Sequence, residues 1–142
     1  MASNARSGIG VVIKRGDGAS VEAFTTIAEV NGIVNMTRTR GIAEVTTLDS
    51  PNGYREFISA FRSGGTFTLN MNWTRDGYEG MVVDYESDDA VNYRIIIPDA
   101  GATQYDFAAL ITDLGGPDST TDDAPISMTA AFQITGPVTM SS

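Results

Sequence analysis

Carboxylates are the side chains in this sequence with the widest chemical reach. Asp84, Glu86, Asp88 and Asp89 form one cluster, and Asp118, Asp122 and Asp123 form another. Acidic clusters of this kind can hold a hard cation or work as an acid–base pair. A calcium loop needs carboxylates at set positions, a Gly at the turn and a closing Glu. The stretch Asp84–Asp89 (DYESDD) lacks that Gly and the closing Glu. Paired carboxylates for glycoside chemistry need a cleft, which spacing alone does not define.

Other chemistry is excluded by composition. The 142 residues contain no His and no Cys. Thiol nucleophiles, thiolate metal sites, disulfides and imidazole general bases are therefore absent. The Gly8-Ile9-Gly10 and Gly16-Asp17-Gly18 pairs have no helix pattern after them and read as turns, and there is no GxxxxGK[ST]. No catalytic constellation emerges, and the expectation is a non-enzyme with no metal and no cofactor.

Nine basic residues face eighteen acidic ones, a formal charge of -9. A nucleic-acid binder needs Lys and Arg to displace counterions from phosphate, so that class is disfavoured. The charge is also split. Residues 1–75 hold eight basic and six acidic residues; residues 76–142 hold Arg94 alone against twelve acids. Opposite ends of neighbouring copies in an assembly can meet with opposite sign. A solvated acidic surface is the plainer reading of most of these charges.

The elements that would position these residues are strands. Turn signals recur at short spacing: Gly16-Asp17-Gly18, Asn31-Gly32, Ser50-Pro51-Asn52-Gly53, Gly64-Gly65, Pro98-Asp99 and Gly115-Gly116-Pro117. Such punctuation predicts a sandwich or barrel. In 66–74, Phe67, Leu69, Met71 and Trp73 share one face, with Thr and Asn on the other. That second face is polar and uncharged, which suits an interface, a wetted channel wall or plain solvent. Further strands are predicted at 9–14, 24–30, 42–48, 91–97, 104–112 and 126–135. Two segments have helical spacing. In 76–86, Tyr78, Met81, Val82 and Tyr85 fall at i, i+3, i+4 and i+7, with Asp76 as a possible cap. In 54–61, Tyr54, Phe57, Ile58 and Phe61 follow the same pattern. Core packing would explain either pattern.

One domain of 142 residues is expected, with a core large enough to fold unaided. Met1–Gly8 is small and polar, with no apolar signal core after it, and no run approaches a membrane span of about 18 residues. A soluble protein made in a cytoplasm, with no membrane partner, is the expectation.

Read in order, several stretches resemble one family. They are FTTIAEVNGI (24–33), GIAEVTTLDSPNGYREFISAFRSGGTFTLNMNW (41–73), VNYRIIIPDAG (91–101), YDFAALITDLG (105–115) and ISMTAAFQITGP (126–137). Their order and spacing, over about residues 9–138, resemble the tail tube (major tail) proteins of long, non-contractile-tailed bacteriophages, the lambda-like tail tube family. The resemblance implies a mostly β fold. Two packed antiparallel sheets carry one flanking helix at 76–87, a flexible N-terminal arm at 1–8 and a long inter-subunit loop at 49–65. The loop conflicts with the helical spacing of 54–61 and is preferred, because an exposed apolar stripe is what an assembly contact needs.

It further implies a structural virion protein, assembled in the host bacterial cytoplasm and resident in the tail. Copies form hexameric rings that stack into a conduit for genomic DNA, which passes without specific binding. Tape measure, tail terminator and distal tail proteins are the implied partners. Tyr54, Arg55, Phe57, Ile58, Phe61, Arg62, Arg38 and Arg40 become candidate inter-subunit contacts. Asp84, Glu86, Asp106, Asp113 and Asp118 become candidate lumen-lining acids, repelling phosphate. Two other readings remain: the tube of a contractile tail or type VI-like secretion machine, and a monomeric β-sandwich module binding carbohydrate or protein.

Overall fold

The computed structural model describes residues 10–19, 21–120 and 123–141. Among the described residues, seven strands and one α-helix follow each other along the chain, with a single 3-10 turn at Pro51–Gly53 between the third and fourth strands. They are β1 (Val12–Gly16), β2 (Phe24–Thr26), β3 (Val30–Glu44), β4 (Phe57–Asn72), α1 (Arg75–Glu86), β5 (Val91–Ile96), β6 (Gln104–Asp118) and β7 (Ser127–Ser141). The expected arm at 1–8 lies outside the described residues.

All seven strands join one antiparallel sheet in the order β2-β1-β5-β6-β7-β4-β3. The mostly β, antiparallel fold with one helix is the expected class, achieved with a continuous sheet. The sheet is strongly curved. Phe67 on β4 and Phe107 on β6 have β7 between them, yet their ring centroids are 5.2 Å apart. Tyr93 on β5 and Phe132 on β7 meet at 5.1 Å across β6. Strands two apart in a flat sheet lie nearly 10 Å from each other, so both pairs report a concave face. Segment 27–30 ties the two ends: Ile27 donates its N–H to the Ile13 carbonyl, and the Asn72 N–H donates to Glu29.

Alternation makes the core. Phe67, Leu69 and Met71 of β4 and Met128, Ala130, Phe132 and Ile134 of β7 are buried, as are Phe107, Ala109 and Ile111 of β6. Phe67 stacks on Phe132 at 4.6 Å, 3° from parallel. Each fully buried large side chain contributes roughly 2–3 kcal/mol. The opposite face carries Thr66, Thr68, Asn70, Thr129 and Gln133, so the sorting in 66–74 is real sheet geometry.

Helix α1 starts where Thr74 Oγ1 accepts the Gly77 N–H at 3.1 Å, with Asp76 in the first turn. It buries Met81 and Asp84 and packs on β6.

Several sequence expectations are corrected. Asn31-Gly32, Gly64-Gly65 and Gly115-Gly116-Pro117 do not end strands. They lie inside β3, β4 and β6, next to shifts of register in β3–β4 and β6–β7. Bulges use the same glycines as turns. Gly65 has φ +91°, and a Cβ there would lie 1.3 Å from the Thr37 carbonyl oxygen. Residues 57–65 are strand, neither the helix of the spacing nor the loop of the resemblance; only 45–56 leave the strands.

Candidate assembly interface

Strand β7 pairs with β4 only from Asn72 back to Thr66. Beyond that point β3 and β4 continue together, with Thr39 opposite Ser63 and Glu44 opposite Phe57. The seven residues 38–44 carry this two-stranded ribbon about 23 Å past the sheet. Its tip is ordered by short hydrogen bonds. Ser50 Oγ donates to Glu56 Oε2 at 2.8 Å and accepts the Thr47 N–H at 3.0 Å; Thr46 Oγ1 accepts the Glu56 N–H at 2.8 Å.

The ribbon is apolar and uncovered. Leu48, Phe61 and Tyr54 are 106, 96 and 73 % exposed, and Met36, Ile42, Val45, Phe57 and Ile58 are exposed too. An isolated hairpin is marginal in water, and an apolar patch this large on a free surface marks an interaction site. The structure therefore brings Tyr54, Phe57, Ile58 and Phe61 onto one projection. Ile42, Val45 and Leu48 belong with them and escaped sequence reasoning. Their signal was present as apolar residues in a stretch of β3 and its exit that has no buried partner.

Charge marks the same ribbon. Arg40 is directly opposite Arg62 in the ladder, a like-charge pairing that opposes hairpin formation. Arg38 and Arg62 line a cleft of about 620 Å³ at the ribbon root, with Gly64 and residues Ile134–Val138 of β7. Among the described residues none of Arg38, Arg40 and Arg62 has an ion-pair partner. Arg55 is only 3.8 Å from Glu44, and exposed. Gln133 Nε2 donates to the Gly65 carbonyl at 3.0 Å, fixing the root to β7.

The candidate lumen acids are scattered. Asp84 is 3 % exposed. It accepts Arg15 Nε at 2.8 and 2.7 Å and the Tyr93 hydroxyl at 3.0 Å. A carboxylate held there lines no surface, which removes Asp84 from the lumen set. Burial, then the Asp84 charge, push the Tyr93 hydroxyl far above the usual tyrosine range. The Arg15 guanidinium holds its proton more firmly, chiefly through the hydrogen bond to Asp84. Asp106 accepts Arg94 Nε at 2.7 Å, and Arg94 lies 4.1 Å over the Phe24 ring. Asp113 and Asp118 are exposed on β6, and Glu86 is exposed at the end of α1. Among the described residues no group of His, Cys, Asp or Glu could hold a metal ion, and no helix is long and apolar enough to cross a membrane.

Among the described residues, the open strand edges include those of β3 and of the second half of β6. β3 pairs only with β4. β6 pairs with β5 only over Gln104–Ala109, leaving one edge of 110–118 unpaired among the described residues.

No family model matches the chain, and no curated protein does. Solved structures do. A chain from the tail of an empty gene transfer agent particle, computed with helical refinement and C6 symmetry, is 21 % identical with a TM-score of 0.75. The alignment covers 97 % of this chain and 100 % of that one. A chain of the native gene transfer agent virion gives 20 % identity and 0.72, with the same coverage. A chain of the sheath/tube terminator of an extracellular contractile injection system gives 12 % identity and 0.73 over all of both chains. The fold is thus one that phage-like tails and contractile injection systems share.

Proposed function

We propose that this chain is the subunit of a tail tube, a structural virion protein that closes into six-membered rings and stacks them into a conduit for genome DNA. The observation that carries this reading is the ribbon: seven exposed large apolar residues on the β3–β4 projection and its tip that none of the described residues covers. Ring closure and stacking are heterologous contacts, which repeat along one axis without limit. The open β3 edge and the open 110–118 edge of β6 are complementary sites for strand pairing between copies. The outer sheet face then becomes a wall of hydroxyls and amides, with Asp113 and Asp118 as its acids. Such a wall carries few cations to hold phosphate: Lys14 and Arg94 share its β1–β5 part, and Arg94 is paired with Asp106.

The likeness to a C6-symmetric tail supports the ring number. The comparable likeness to a contractile injection system chain favours a second reading, the inner tube of a contractile machine; a sheath gene beside this one would separate the two. Tape measure, tail terminator and distal tail proteins are the partners such a tube requires at its core and ends, and DNA passes without specific binding. No catalytic step is assigned. Trp73, the one Trp that a monomeric carbohydrate module could use, is half-buried with its ring 6.2 Å from Tyr78.

Negative-stain electron microscopy of the purified chain tests the proposal. Rings or hollow tubes are expected, and a Phe61→Asp, Leu48→Asp double variant should remain monomeric while keeping its β circular dichroism. Uniform small monomers of the unaltered chain under all assembly conditions would overturn the tube reading.

A further inference from the structure

The sheet forks at the foot of the ribbon. β4 and β7 pair from Asn72 with Ser127 to Thr66 with Gln133. Beyond that point β4 stays with β3, whereas β7 stays with β6, from Ala108 opposite Thr135 to Gln104 opposite Ser141. The cleft of about 620 Å³ is this fork. Arg38, Arg62, Ser63 and Gly64 line one side and Ile134–Val138 the other, and no carboxylate lines it. Arg40 is paired with Arg62, and Arg38 lies two residues before Arg40, so all three guanidiniums leave the same face of the ribbon. In a chain of formal charge -9, a cleft with arginines and no acid is the exception. A guanidinium takes a carboxylate by two parallel hydrogen bonds.

The complement sits at the other end of the same strands. β4 leaves the sheet at Asn72 where β7 enters it at Ser127. Just outside, the Trp73 N–H donates to the Ile126 carbonyl at 2.7 Å, tying Ile126 to the start of α1. Ile126 is 44 % exposed. Asp123, three residues before it, is exposed and has no ion-pair partner among the described residues. Asp76, exposed in the first turn of α1, adds a second acid at this end. One end of the molecule is thus a cationic fork, and the other an acidic segment with an apolar knob.

We infer that the fork of one copy receives the Asp123–Ile126 segment of a second copy stacked on it. Arg38 and Arg62 hold the Asp123 carboxylate, and Ile126 lies against the Pro137–Val138 wall. The contact joins unlike ends, as an open stack requires. A ribbon that runs about 23 Å past its own sheet lies alongside the next copy, so its root meets the near end of that copy. In a head-to-tail stack along the strands, that near end is the one carrying Asp123. The carboxylate offsets the repulsion between Arg40 and Arg62, and the charge match gives successive rings one polarity. The inference rests on the tube reading and adds which parts of neighbouring rings touch.

Charge reversal tests it. Arg62→Glu alone and Asp123→Arg alone should each cut the assembled fraction about tenfold. The two together should restore it, because the pair re-forms with its signs exchanged. Arg62→Glu also turns the like-charge pairing with Arg40 into an opposite one. The dissociated chain should therefore keep or raise its thermal midpoint, whereas a merely structural arginine would lower midpoint and assembly together. Should Arg62→Glu not fold, Arg62→Gln and Asp123→Asn form a second cycle, in which the double variant should lose no more than the worse single one. Normal assembly of either single variant, or losses that simply multiply in the double, would overturn the inference. If the unaltered chain never assembles, the tube reading fails with it; if it assembles and the variants show no coupling, only the contact between rings is reassigned.

Discussion

At the scale of residues, the most informative group is Asp84 with Arg15 and Tyr93. An acid in an acidic half of the sequence reads as surface charge, yet this one fastens α1 to β1 and β5. The clue was its place three residues after Met81, on the helix face that must be buried. What sequence lacked was the partner, since Arg15 lies 69 positions away. Asp84→Ala leaves a half-exposed Arg15 and a buried hydroxyl without their acceptor. We expect a loss of about 2–3 kcal/mol, in the range for a hydrogen bond to a charged group, read by urea denaturation. The cluster also sets an alkaline limit. The Tyr93 hydroxyl is raised in the fold by burial first and by Asp84 second. Unfolded tyrosine gives up its proton near pH ~10. Above that pH the unfolded state is favoured by deprotonation while folded Tyr93 stays neutral, so stability falls as pH rises. The urea midpoint should be level through neutral pH and decline above about pH 10, and Tyr93→Phe should flatten that decline. An equal decline in the variant would assign it elsewhere.

At the scale of elements, the ribbon explains why periodicity misled over 54–61. A strand in a monomer hides one face, so its apolar residues alternate. Phe57 shares a face of the ribbon with Ile42 and Arg62, Ile58 lies on the other, and the bulge opposite Gly41 interrupts the alternation before Phe61. Apolar residues on both faces of a strand imitate the i, i+3, i+4 spacing of a helix. Strands β5, β6 and β7 were legible because each has a single buried face. Their lengths were not: β6 and β7 run past the predicted ends into residues with no core to sort them. The ribbon root depends on Gly65, where positive φ and the close Thr37 carbonyl leave no room for a side chain. Gly65→Ala should cost at least ~2 kcal/mol and, by displacing β3 from β4, should suppress ring formation. A variant with unchanged thermal midpoint and normal rings would show that the bulge relaxes freely.

At the scale of the whole molecule, the charge split has a narrower meaning than the sequence suggests. Asp84 is internal, Asp106 is paired with Arg94, and Glu86 belongs to α1, on a different element from the sheet. Asp113 and Asp118 remain as acids of the outer sheet face. Asp113→Lys with Asp118→Lys should leave the fold and tube length unchanged, yet slow DNA release from assembled particles and make it salt-sensitive. Release at the original rate, independent of salt, would move the conduit wall to another face.

In the proposed tube, the uncovered ribbon would also govern when assembly begins. A first pair of copies covers only one ribbon and leaves the other exposed, whereas a copy joining a finished ring finds every contact surface in place. Growth from an existing end is then easy and spontaneous initiation rare. A pool of these chains would show a lag that seeds abolish, so that tube number is decided by whatever supplies the first ring, and tube length by how long the ends stay open.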